Sequence, residues 1–218
     1  YVPQVTKDIM SGLESMALTK TLVQPCRLIV LVSGSVLFGF VACGRQFVSI
    51  IYGDKYLLSW TIAIILMAPM FLNMSNAVVL NVLDVKNKRL VRSYILMITT
   101  ALNILMTILG IKYFGIVAAA VATAIATLLQ VIIMNIYYQK KIGIKVIYLF
   151  LFIFKGILSY QILGALLGYI VGKLIANVYL SFVMATGIYI VVAFGGFILF
   201  GKNESERNII KKIYKFIK

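Results

Sequence analysis

The stretch YFGIVAAAVATAIATLLQ, Tyr113 to Gln130, lies inside a long apolar run, yet half of it is Gly, Ala or Thr. Side chains this small add little affinity for hydrocarbon. What they offer is close approach of a second backbone, and in lipid such packing replaces the hydrophobic effect as the attraction between helices. Gly115, Ala118, Ala119, Ala122 and Ala126 recur at spacings of three and four, which puts them on one helical face. The stretch therefore predicts a membrane helix packed tightly against a neighbour.

The rest of the chain agrees with a lipid solvent. Of 218 residues, 62% are hydrophobic and only 12% charged, where a soluble domain carries about 25% charged residues. The mean hydropathy of +1.04 leaves too few polar groups to cover a water-exposed surface. With roughly 20 residues per crossing, six helices are predicted, at about 28–44, 57–80, 94–111, 114–137, 147–171 and 178–200. The shortest gap lies at Lys112, so the third and fourth helices are expected to be antiparallel neighbours. GxxxG spacing recurs at Gly164, Gly168 and Gly172, and more loosely at Gly187, Gly195 and Gly196. The predicted fold is an all-α polytopic membrane helix bundle.

Lys and Arg set the orientation, because they resist leaving the cytoplasm. With the first segment inside, sixteen of the 21 fall in cytoplasmic segments. Arg45, Lys55, Lys112 and Lys173 fall outside, and Lys155 lies within the fifth helix. This asymmetry predicts both termini on the cytoplasmic side. The net charge of +15 then needs no nucleic acid; it either anchors the chain to anionic membrane lipids or simply records topology. The tail NESERNIIKKIYKFIK carries Asn203 and Glu206 as cap residues and Ile209, Ile213, Phe216 and Ile217 on one face, a pattern expected to lie flat on the membrane. The chain opens on Tyr1 with no signal peptide, and further sequence upstream is expected. Four regions follow: an amphipathic cytoplasmic linker at 1–27, four helices at 28–137, two more at 138–200, and a basic tail at 201–218.

The chain has no His and six acids, none in the middle of a predicted span. Metal, triad and paired-carboxylate chemistry lack their parts, so neither an enzyme nor a cofactor is expected. Cys26 and Cys43, near opposite ends of the first helix, are too far apart to pair. Interest falls instead on polar residues within spans. Asn73 and Asn76 sit one turn apart beside Pro69, which is expected to kink the second helix and free a carbonyl. Thr99, Asn103 and Thr107 form a row on the third helix, and Thr123, Thr127 and Gln130 one on the fourth. Such rows either line a cavity for sugar hydroxyls or bond helix to helix. Lys155 either meets an anionic phosphate or snorkels to the headgroups, and Arg27 and Arg45 read as interface anchors.

VPQVTKDIMSG, then FVSIIYGDKY, then NVLDVKNKRLVRSYILMITTALNILMTILGIKYFGIVAAAVATAIATLLQ resembles, in order and spacing, the C-terminal half of bacterial polysaccharide flippases of the multidrug/oligosaccharidyl-lipid/polysaccharide exporter superfamily. The matching features are a Pro-led amphipathic linker, an aromatic-Gly-x-x-Tyr turn at Tyr52, Gly53 and Tyr56, the helical Asn103, and a Gly-x-x-Ala-Ala run at Gly115, Ala118 and Ala119. The likeness covers about 1–145, and the last two helices agree in number and topology only. Asp84 departs from the small residue frequent in the family. The resemblance implies six helices of a fourteen-helix, two-lobe transporter in the bacterial cytoplasmic membrane, lacking here its N-terminal lobe. Its substrate would be a polyprenyl-pyrophosphate-linked oligosaccharide moved by alternating access, with Asn73, Asn76, Asn103 and Lys155 as cavity candidates. The competing expectations are a cation-coupled multidrug exporter of the same superfamily and a non-transporting membrane scaffold.

Overall fold

The computed structural model describes residues 15–200; the predicted tail helix lies outside them. Among the described residues 91% are helical and none is in a strand. The helices are α1 (Ser15–Tyr52), α2 (Leu57–Ser75), α3 (Val79–Val85), α4 (Arg89–Phe114), α5 (Ile116–Tyr137), α6 (Val146–Phe154), α7 (Ile157–Leu174) and α8 (Val178–Phe200). A 3-10 turn, Asp54–Tyr56, leads into α2, and a π-helical turn, Tyr138–Ile142, extends α5. With these extensions, α1, α2, α4, α5, α7 and α8 are each long and apolar enough to cross a bilayer. Six such helices are those of a multi-pass membrane protein.

Three helices depart from their expected limits. α1 begins at least by Ser15 rather than near 28. Its first turns look polar, but Leu18, Leu22, Cys26 and Val30 form a four-residue row that is entirely buried. Pro25 sits inside it without ending it. The second span is interrupted, yet at Asn76–Val78 and not at Pro69, which stays within α2. The expected fifth helix breaks at Lys155 and Gly156, where Gly156 takes φ +81°, so Lys155 occupies an exposed turn between α6 and α7 rather than a helix interior.

The contacts divide the chain into two compact units. The first comprises, among the described residues, 15–30 and 61–153. Its hairpin of α4 and α5 turns on Gly115 alone, with φ +65° and ψ −154°, a conformation open in practice only to glycine. The corner is thus three residues beyond Lys112, which lies in the last turn of α4. A Cβ on Gly115 would touch nothing, so its role is the turn and not the packing face. The small-residue face starts at Ala118, 3.0 Å from where a Cβ on Gly110 would stand. Ala120, Ala122, Ala124 and Ala126 are all buried, so α5 packs two faces rather than one.

The second unit comprises, among the described residues, 31–60 and 154–200. Here the doubled GxxxG of α7 is used throughout. A Cβ on Gly164 would come 3.2 Å from the Tyr189 ring; one on Gly168 would come 2.9 Å from Ala42 Cβ and 3.0 Å from the Ala185 carbonyl. One on Gly172 would run into the Gln46 amide. α7 thus lies against both α1 and α8 with nothing larger than hydrogen at these points. Gly187 and Gly195 meet nothing, whereas Gly196 seats Tyr160.

Candidate functional site

Asn73 and Asn76 are brought together by the interruption between α2 and α3. The backbone there tightens into bonds of three-residue reach, Asn76 N to Asn73 O at 3.1 Å and Val79 N to Asn76 O at 2.9 Å. Around it lies a cleft of about 130 Å³ lined by Asn73, Asn76, Arg92, Gln130 and Tyr138 with apolar neighbours. Asn76 Nδ2 donates to Asn135 Oδ1 at 2.9 Å. Its own Oδ1 and the Tyr138 hydroxyl are buried without a partner. A buried orphan of this kind costs about 1–3 kcal/mol, and both belong to residues that line the cleft. Its volume falls short of the roughly 300 Å³ at which small-molecule pockets begin, which limits it to waters or one polar group of a larger ligand.

Asn103 belongs to a different arrangement. Its Oδ1 lies 3.3 Å from both Thr107 Oγ1 and Thr123 Oγ1, bridging α4 to α5. Thr99 and Thr127 bond back to carbonyls of their own helices, at 2.9 Å (Ile95) and 2.8 Å (Thr123). In this row the Asn103–Thr123 contact joins the two helices, and the Thr99 and Thr127 hydroxyls stay within their own. Lys155 falls in the second unit and lines neither arrangement.

Arg27 is buried instead of anchoring at an interface. Its Nη1 donates to the Phe152 carbonyl at 2.8 Å, in the last turn of α6, where helix carbonyls lack partners and a cation is favoured. Lys86 reaches the Ile142 carbonyl at the end of the π-helical turn at 3.4 Å. Asp84 pairs with Arg89 at 2.8 Å. Cys26 and Cys43 are both free thiols. Tyr138 and Arg92 escaped the sequence reading, Tyr138 because it stands past the apolar run and Arg92 because it reads as a topology charge.

The second unit holds a larger polar cavity, about 410 Å³, whose lining includes Arg45, Gln46, Asp54, Tyr169, Lys173 and Ser181. Gln46 Nε2 donates to Ser181 Oγ at 3.2 Å, and the Ser181 hydroxyl donates to the Gly172 carbonyl at 2.6 Å. Deeper in this unit Gln161, fully buried, donates to the Leu31 carbonyl at 3.1 Å and to Ser35 Oγ at 3.2 Å.

Fold and clefts define an all-helical chain with six helices of membrane-spanning length, two of the expected spans interrupted, and a polar-lined cavity in each unit. Compared with protein-family models, with curated proteins and with solved structures, the chain matches none.

Proposed function

We propose that this chain is the six-helix part of a transporter that moves a lipid-linked oligosaccharide across the bacterial cytoplasmic membrane by alternating access. The observation that carries the reading is the broken span at Asn76. Interrupted membrane helices free backbone groups that are tolerated where they line a cavity, and in transporters such breaks mark substrate and ion sites. Here the break coincides with a cleft lined by Asn73, Asn76, Gln130, Tyr138 and the Arg92 cation. Arg92 suits a phosphate, and amide and hydroxyl groups suit sugar hydroxyls. The tight glycine packing of α7 supports movement as a rigid body. In this reading the N-terminal lobe completes the pathway and both termini face the cytoplasm.

The test is surface polysaccharide in cells whose complete protein carries Asn76→Leu or Arg92→Gln. Loss of the glycan at unchanged protein level in the membrane is expected. An unchanged glycan with both exchanges would assign the cleft to helix packing and favour the scaffold reading.

A further inference from the structure

The cavity of the second unit lies where the C-terminal turns of α1 and α7 meet the 3-10 turn and the first turn of α8. At about 410 Å³ it exceeds the roughly 300 Å³ threshold for ligand pockets. Helix ends in a membrane bundle stand at headgroup depth, and the stacked pair of Trp60 and Tyr169, centroids 6.0 Å apart and planes within 6°, is the aromatic signature of that depth. Two cations converge here, Arg45 and Lys173. They are half of the four Lys and Arg that the topology count puts on the cation-poor side. Among the described residues no ion pair joins either of them to Asp54, which instead accepts from Ser49 Oγ.

Gln46 stands in the cavity wall. Ser181 uses its single proton on the Gly172 carbonyl and must therefore receive the Gln46 amide as donor, which fixes which way the amide points. Gln46 Oε1 is left buried with no partner, on a residue only 8% exposed. The cavity thus offers two cationic donors together with one acceptor, the Asp54 carboxylate, while Gln46 Oε1 stays unpartnered within its wall. Tyr169 gives no open platform for a sugar face, since it is stacked on Trp60 and covered by Lys173 Nζ at 4.9 Å from its centroid.

We infer that this cavity binds a phosphate group carrying hydroxyls, presented as the headgroup of an anionic phospholipid. Arg45 and Lys173 hold the phosphate, Asp54 accepts from the hydroxyls, and Leu57, Ile175 and Val178 border the start of the acyl chains. The inference is independent of any transported substrate.

The experiment is thermal unfolding of the purified full chain in micelles doped with phosphatidylglycerol, with phosphatidylcholine, or with inorganic phosphate at equal phosphate concentration. Phosphatidylglycerol is expected to raise the melting temperature, and phosphatidylcholine is not. The Arg45→Gln, Lys173→Gln double exchange should weaken the phosphatidylglycerol response about tenfold in concentration. Lys55→Gln, on the same flank but outside the cavity lining, should leave it intact. Equal responses to both lipids, or a response that survives the double exchange, would overturn the site. Inorganic phosphate matching the lipid would overturn the lipid source and leave a free-phosphate site. Should the double exchange lower the melting point without lipid, Lys173→Met alone decides, by the same concentration shift.

Discussion

Gly168 and Gly187 are chemically identical and differ only in what stands beside them. A methyl group on Gly168 meets Ala42 and the Ala185 carbonyl inside van der Waals distance, while one on Gly187 meets nothing. Gly168→Ala should cost about 1–3 kcal/mol of unfolding free energy in mixed micelles, and Gly187→Ala should stay within about 0.5 kcal/mol of the parent. Equal losses at the two sites would refute close packing by α7. Arg27 invites a similar test. Exchange for Met keeps much of its bulk but leaves the Phe152 carbonyl without this donor, an expected loss of about 1–3 kcal/mol by the same measurement. Arg27→Lys should recover part of it. The small residues announced their packing in the sequence because spacing alone puts them on a face. Gly115 did not reveal its different role, since a positive φ is a property of the backbone that the letter G permits but does not specify.

At the level of the helix, the apolar runs carried most of what could be read. Six helices long and apolar enough to cross a bilayer are present, as hydropathy indicated, although the limits of three of them differ. The interruptions were less visible. The run from 57 to 80 stays apolar on average despite Ser59, Thr61, Ser75 and its two Asn residues, so the turn at 76–78 does not stand out from it. Nothing in composition distinguishes a proline that a helix tolerates from a turn at which it stops. The polar start of α1 hid a buried four-residue row, because Thr, Gln and Lys between its members lowered the average. Amide hydrogen exchange in nanodiscs should be faster at 76–78 and at 155–156 than in the interior of α5; uniform protection across these positions would contradict the breaks. The bond from Asn76 to Asn135 ties the first of them to α5. A double-mutant cycle with Ala at both positions should give a coupling of about 0.6 kcal/mol, the usual size for such bonds in membranes.

For the molecule as a whole, the sidedness of its loops decides the topology. A single cysteine placed at Lys173, with Cys26 and Cys43 replaced by Ala, should react with an impermeant maleimide in intact cells. One placed at Lys88 should react only after the membrane is opened. Labelling of both from the same side would remove the orientation and the transport proposal that uses it. The candidate cleft was legible in part, through Asn73 and Asn76. Its other walls come from α4 and α5, and from a tyrosine beyond the apolar run, and only folding brings these distant parts of the chain together. The corner at Gly115 bears on how such a chain is made. A link of one residue has no slack with which to hold one arm in place while the other is still being synthesised. The two arms must therefore leave the translocon as a single needle and partition into lipid together. Lengthening that corner by a flexible insert would let them be released one at a time.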